Sequence, residues 1–403
     1  MVPLNILDKA SKSLLLLILL IASGCGHSLK LVRNNFYGYD ALSAQLDGLQ
    51  TDFPSIIKVE SLGRTHEGRS ILAVRLSGNP QSSNTKPALM AIFTEHGCEH
   101  DVTNIAMGII KNLSNSYGKD ERVTALLDDT EVWIVPMMNP DGAEYDLSGS
   151  VSPFSWRKNR RPTGPQTCGV DLNRNWEYDR KAPVPVGQLK QLTDRESSFY
   201  CGEASFSEAE TRAVRDFLLS HHNVEIFIDY HSGYAGFMQG GIGCYTGRSS
   251  TGNIHPDIDM LCGEVIEKLA SAITDSKDGR PGFLVANRAD AAEKLQERMP
   301  FYMKPFAPAK LPESPGTSIQ YVYEELGILA IGVEIFRNHE LWRNLPGSLD
   351  RLVKNQARGL LLLLDVLSSS HFGPDDFGWR EKDPATPRHR TDYGLTQLTS
   401  LIL

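Results

Sequence analysis

The sequence predicts one α/β domain with a mixed, mostly parallel central sheet and helices on its faces. Three observations lead there. Short apolar runs at 88–93, 131–135, 224–228 and 328–333 have the length and the abrupt ends of buried strands. Stretches with helical spacing separate them, and strands that alternate with helices favour parallel pairing. Three of these runs lead directly into titratable side chains, His96 with Glu99, then His231, then Glu334. Such residues stand where α/β sheets keep their ligand sites, at the carboxyl ends of strands.

At the start of the chain, Lys9 and Lys12 precede an unbroken apolar run at 14–22, too short for an ordinary membrane helix but right for an export signal. Ser23-Gly24-Cys25 comes next, and small residues before a cysteine resemble a bacterial lipobox. Residues 1–25 are therefore expected to be a signal segment that leaves Cys25 as a lipid anchor, or else a plain secretory peptide cut near Gly24 or Cys25. The protein is expected in the cell envelope, on its periplasmic or surface face, or secreted.

Residues 38–53 carry Leu42, Leu46 and Leu49 at helical spacing. Two β-type runs come next, 56–62 and 70–76, with His66-Glu67-Gly68 as the turn between them. A Ser/Asn/Pro-rich loop leads to the run at 88–93. After it, 102–113 reads as a helix with Ile105, Ala106, Ile109 and Ile110 on one face. Asn139-Pro140-Asp141-Gly142 is turn chemistry after the run at 131–135.

Residues 151–205 are loop-rich and lack periodicity, the mark of a functional or disordered stretch. Ser207 and Glu210 form a capping-box pattern before a helix that turns Val214, Phe217 and Leu218 inward. Further helices are expected at 260–273 and 317–325, an irregular Pro-rich loop at 299–315, and a closing helix at 347–367. The folded domain is placed at 33–369, with a polar tail at 370–403.

A formal net charge of -8 leaves no footprint for nucleic acid. Export permits disulfides, and five cysteines remain after Cys25: Cys98, Cys168, Cys201, Cys244 and Cys262. One must stay unpaired. Cys98 lies between His96 and Glu99, where a bridge would distort the site, so it is the odd one out. A Cys168–Cys201 bridge would pin the long loop, and Cys244 could pair with Cys262.

His-x-x-Glu alone is weak, since a chain with eleven histidines shows it by chance in solvated turns. Its weight comes from four downstream motifs in a fixed order: Trp156-Arg157-Lys158, Asp171-Leu172-Asn173-Arg174-Asn175-Trp176, His231-Ser232 and Glu334. With these five motifs the chain resembles the zinc metallocarboxypeptidases of the carboxypeptidase A/B type, over roughly residues 35–367.

The resemblance implies one Zn²⁺ held by His96, Glu99 and His231, with the fourth place left to water. It implies Arg157 as the oxyanion stabiliser, Asn173 and Arg174 as the clamp on a substrate's terminal carboxylate, and Glu334 as general base. Ile319 falls where that family sets its side-chain preference, and an apolar residue there implies apolar C-terminal residues in the substrate. Cys168 and Cys201 fall where the family has a disulfide. The expected partner is a peptide or protein C-terminus, met by a monomer whose contact with a membrane is limited to the lipid anchor.

Two positions depart from the pattern. The family's mobile tyrosine would fall near Pro312, leaving Tyr302 or Tyr321 as replacements, and Cys98 stands where an arginine is usual. Two other functions compete: an envelope peptidase or amidase that trims cell-wall peptides, and a lipoprotein that captures peptide C-termini without cleaving them. Loss of a ligand or of the base would mark the second, and all four residues are present.

Overall fold

Alternation along the central strands decides the layers. The computed structural model describes residues 36–81, 86–152, 154–177, 186–234, 241–244, 284–285, 315–337 and 348–369. Among the described residues the eight strands are β1 (Ile57–Arg64), β2 (Ser70–Leu76), β3 (Ala88–Phe93), β4 (Glu131–Val135), β5 (Val224–Tyr234), β6 (Gly241–Cys244), β7 (Leu284–Val285) and β8 (Leu329–Arg337). They form one sheet in the order β1-β2-β4-β3-β5-β8-β6-β7. The four central strands β4, β3, β5 and β8 run parallel, as do β6 and β7, whereas β1/β2, β2/β4 and β8/β6 are antiparallel. The expected mixed, mostly parallel α/β sheet is what the chain forms.

In β3 and β4, Leu89, Ala91, Phe93, Val132 and Ile134 face one core, while Ala88, Met90, Ile92, Trp133 and Val135 face another. Successive strand residues point to opposite faces, so an unbroken apolar run is what burial on both sides requires. On the first face lie α1 (Tyr39–Asp52), α2 (His100–Ser116), α3 (Glu121–Asp129) and α8 (Ser348–Ser369). On the second lie α6 (Ala209–Ser220) and α7 (Ser318–Glu324), with Trp176 and Phe206 from the long loop. Leu42, Leu46 and Leu49 are the buried stripe of α1, as their spacing predicts.

Several local expectations are corrected. Asn139-Pro140-Asp141-Gly142 opens a helix, α4 (Pro140–Leu147), because the Asn139 side chain accepts from the Gly142 amide at 2.9 Å and proline suits the first helical turn. Helix α3, capped by Asp120 accepting from the Val123 amide at 3.1 Å, is an element that the residue pattern did not announce. The long loop holds a helix of its own, α5 (Val186–Thr193). The capping box at Ser207 does not form: Glu208 stands at the N-cap position, and the Ser207 hydroxyl is bound to Glu208 and Asn175 instead. Strands β5 and β8 continue past the apolar runs that announced them, to residues 234 and 337.

No disulfide joins the described cysteines Cys98, Cys168 and Cys201 to one another, which corrects the expected Cys168–Cys201 bridge. The Cys168 Sγ donates to the Arg160 carbonyl at 3.1 Å and the Cys201 Sγ to the Gly202 carbonyl at 3.6 Å, so each thiol is turned toward its own local backbone. The signal segment 1–25, the helix expected at 260–273, most of the loop at 299–315, the tail, and Cys262 as the expected partner of Cys244 lie outside the described residues. Among the described residues no helix is long and apolar enough to cross a membrane.

Glu210 in the first turn of α6 is fully buried, with one carboxylate oxygen 3.2 Å from the Asn159 amide and the other without a hydrogen-bond partner. Burial, reinforced by Glu208, pushes its carboxyl up to about 7. A raised folded-state pKa means the acid form is favoured by folding, so its stabilisation is complete below the unfolded value near 4.5 and is lost as pH rises through about 7. Glu210→Gln should therefore open a stability gap over wild type that widens by about 3 kcal/mol between roughly pH 4 and pH 8. Urea midpoints across that range measure it, and a gap that stays flat would show that Glu210 is not protonated in the fold.

Candidate active site

The site begins where β3 ends. Thr94 takes the left-handed conformation at φ 54°, costly for a β-branched residue, and it persists because its neighbours fix it. The Thr94 hydroxyl lies 2.6 Å from the Thr103 hydroxyl, the Asn139 amide donates to the Thr94 carbonyl at 3.1 Å, and the Asn139 side chain donates to the Glu95 carbonyl at 3.1 Å. This sharp reversal throws residues 96–99 over the end of the sheet. The Glu99 amide donates to the His96 carbonyl at 3.1 Å, closing a turn that brings the two side chains together.

Gly97 makes the turn possible. Its amide donates to the Arg157 carbonyl at 2.9 Å, and a Cβ there would sit 2.5 Å from the backbone carbon of Gly142. Two glycines thus let the turn, helix α4 and the Arg157 segment touch through backbone alone.

The parallel register supplies the rest. His231 in β5 pairs with Glu334 in β8, and Phe93 pairs with Tyr230, so all three strands deliver their ends to one place. His96 Nδ1 lies 2.9 Å from Glu99 Oε1, His231 Nδ1 lies 3.1 Å from Glu99 Oε2, and the two Nδ1 atoms are 3.2 Å apart. Four-coordinate zinc with bonds of about 2.0–2.1 Å sets its ligands about 3.3 Å apart, so the three atoms already have nearly the separation that ion needs.

Electrostatics agree with the geometry. Burial resists charge on His231, but Asp229 and Glu99 outweigh it and hold the imidazole's pKa well above the usual value. Glu99 is likewise held well below the usual carboxylate range by His96 and His231, against the cost of burial. The pocket stabilises positive charge at the point the three side chains share.

Each histidine has a carboxylate behind it. His96 Nε2 lies 3.3 Å from Asp171 Oδ1, and His231 Nε2 lies 2.9 Å from Asp229 Oδ2. A carboxylate at Nε2 favours the proton there and leaves the Nδ1 lone pair for a metal. Asp171 also accepts from Arg157 Nε at 2.8 Å and from the Asn173 amide at 3.1 Å. Although burial opposes ionisation, Arg157 and His96 keep Asp171 far below the usual range.

Glu95, His96 and His231 form a second potential donor set, one atom each within 4.8 Å. It is the weaker of the two. Glu95 Oε2 stands 3.8 Å from His231 Nε2, its Oε1 accepts from the Trp176 indole at 2.8 Å, and burial together with Asp229 raises its carboxyl well above the usual range. A neutral carboxyl group is a poor ligand for a hard cation.

The remaining candidates surround this point. Glu334 is half-buried, one carboxylate oxygen has no hydrogen-bond partner, and burial and Glu99 raise its carboxyl against the pull of His231. Arg157 is half-buried with Nη1 3.2 Å from His96 Nδ1, on the face where the ligand atoms converge. Asn173 is buried, its amide nitrogen 3.0 Å from His231 Nε2 and its oxygen accepting from the Ser318 amide at 3.0 Å. Arg174 is half-buried and donates to the Asn173 carbonyl. Ile319 is half-buried against the second core, next to Ser318, whose hydroxyl donates to Asp229. Tyr321 is buried against the rings of Trp176 and Phe206, so it does not replace a mobile tyrosine; Tyr302 and Pro312 lie outside the described residues.

Sequence reasoning passed over four acidic residues here. Asp171 opened a motif already singled out, and Glu95 and Asp229 adjoin His96 and His231, so their positions were a signal. Asp146 gave none. It binds His100 Nε2 at 2.8 Å and accepts from the amides of Phe154, Ser155 and Trp156 at 2.8–2.9 Å, fixing the segment that leads to Arg157.

A family model described as zinc carboxypeptidase matches residues 42–346 of the 403, and the chain belongs to that family. It is 35% identical over 144 residues to a zinc carboxypeptidase of Saccharothrix mutabilis subsp. capreolus, covering 36% of this chain and 32% of that protein. It is 31% identical over 204 residues to the inactive metallocarboxypeptidase ECM14 of Saccharomyces cerevisiae, covering 49% and 45%. These matches span about a third to a half of the relatives' own length. The fold is shared with the crystal structure of the carboxypeptidase A from Helicoverpa armigera, at a TM-score of 0.64 and 21% identity, over 83% of this chain and 74% of that one.

Asp171 sits behind one imidazole and holds Arg157, so Asp171→Asn should lower zinc affinity about 10- to 100-fold. Competition with a chromophoric chelator measures this. An unchanged affinity would mean that something other than Asp171 orients His96.

Proposed function

We propose that this chain is a zinc-dependent carboxypeptidase that hydrolyses the last peptide bond of a peptide or protein. The observation that carries the reading is the meeting of His96 Nδ1, His231 Nδ1 and the Glu99 carboxylate within 3.2 Å, with Glu334 paired to His231 on the next strand. His96, Glu99 and His231 would hold the metal. Zinc bound there supplies a Lewis acid that acidifies a water and polarises a carbonyl.

Glu334 takes the proton of the attacking water and returns it to the departing amine, and its raised pKa suits a group that must hold a proton between those two moments. Arg157, anchored through Nε on Asp171, turns Nη1 toward the point where the ligand atoms meet, where it can donate to the oxygen that becomes negative. Arg174 pairs with the substrate's free α-carboxylate, helped by the Asn173 it borders, since a planar and permanently charged guanidinium suits that group. An internal peptide bond offers no carboxylate to Arg174 and leaves the cation unmatched. Ile319 supports a preference for apolar C-terminal residues.

The apolar run at 14–22 and Cys25 support export and lipid anchoring of a monomer whose substrates are peptides in the envelope, wall peptides with free α-carboxylates among them. The yeast relative's description as inactive favours a second reading, capture of C-termini without cleavage. Retention of both imidazoles, Glu99 and Glu334 supports turnover instead.

Mass spectrometry of peptides with free and amidated C-termini decides between them. Single residues should be lost from the free acids alone, and not in the presence of a chelator. Glu334→Gln should keep stoichiometric zinc while kcat falls about 10²- to 10⁴-fold. A variant that binds zinc and retains near wild-type turnover would show that another group is the base.

A further inference from the structure

Three large apolar side chains are exposed among the described residues, and one of them, Phe199, stands beside the site at 37% exposure. Its ring centroid lies 5.3 Å from the Arg157 guanidinium carbon and 5.7 Å from that of Arg174. Both are within the range in which the negative face of an aromatic ring attracts a cation. One ring within reach of two guanidinium groups at once is a geometry that apolar burial alone does not produce.

The ring is also held from behind. The Phe199 amide donates to the Ser197 hydroxyl at 3.0 Å, and the next residue, Tyr200, is buried. The Tyr200 carbonyl accepts from the Asp171 amide at 2.8 Å, and the Cys201 amide donates to the Leu192 carbonyl at 3.0 Å. Phe199 is thus tied through one residue to Asp171, the same group that binds Arg157 and lies behind His96.

We infer that Phe199 is a positioning residue that holds Arg157 and Arg174 at a fixed spacing, so that the terminal carboxylate and the reacting carbonyl of one substrate meet both at once. Two like-charged guanidinium groups repel, and each must stay aimed into the cleft before a substrate arrives. A ring within reach of both attracts each of them and limits the side-chain freedom that binding would otherwise have to remove. The inference rests on the carboxypeptidase reading in taking Arg174 as the partner of a free carboxylate.

The test is binding of N-acetylphenylalanine and of its amide to the zinc-loaded full chain, measured by calorimetry for wild type, Phe199→Leu and Phe199→Trp. Leucine keeps apolar bulk and removes the ring, whereas tryptophan keeps a ring. Phe199→Leu should weaken the acid about tenfold and the amide clearly less, since the amide keeps only the carbonyl that Arg157 meets, with thermal midpoint and zinc content preserved, and Phe199→Trp should bind the acid within about twofold of wild type. Equal binding of the acid by wild type and Phe199→Leu, parallel loss of acid and amide, or no rescue by tryptophan would overturn the inference. If wild type itself fails to prefer the acid over the amide, the carboxypeptidase reading falls first and takes this inference with it.

Discussion

Two imidazole nitrogens 3.2 Å apart, each turned toward one carboxylate, are the constraint on which the rest of this structure depends. Two lone pairs at that distance repel unless a proton or a cation lies between them. The carboxylates behind the rings set the sign of the solution: Asp171 and Asp229 favour protons on the Nε2 atoms, away from the shared point, and Glu99 adds negative charge at it. The geometry is built for a positive charge in the middle, and membership of a family described as zinc carboxypeptidase implies zinc as that charge.

The strain needed to reach that arrangement is local. Thr94 holds a left-handed conformation, and the turn it starts is packed on Gly142 at a distance that excludes any side chain at Gly97. The compensation comes from the sheet and from α4, whose N-terminal Asn139 is tied to both Thr94 and Glu95 while Asp141 accepts from Thr65, Glu67 and Arg69 in the β1–β2 turn. The 154–177 segment is fixed just as tightly, by Asp146 at one end and by Asn175 and Trp176 at the other. Beyond a 3₁₀ turn at Leu172–Arg174, it is ordered by side-chain acceptors, Asp146, Asn159 and Asp171, that collect its amides.

What could be read from the residues respects this division. Buried strands announce themselves through apolar runs, so the central sheet and the positions of His96, Glu99, His231 and Glu334 at its edge were legible. Helix α3 was not, being short, polar and set directly before a strand. The capping box failed at Ser207 because a tertiary partner, Asn175, competes for the hydroxyl. The Cys168–Cys201 bridge was an inference from resemblance, and the thiols here bind carbonyls instead. Asp146 and Phe199 matter through contacts made only once the long loop has folded back, with the amides of 154–156 and with Arg157 and Arg174, and no spacing rule exposes such contacts.

The central claim is the location of the metal, and anomalous diffraction at the zinc edge from crystals of the zinc-loaded protein tests it most directly. The account predicts one peak of full occupancy in contact with His96 Nδ1, His231 Nδ1 and the Glu99 carboxylate, with Glu334 facing the open side. A peak on the Nε2 side of the histidines beside Glu95, or bonded to the Cys98 sulfur, would contradict it.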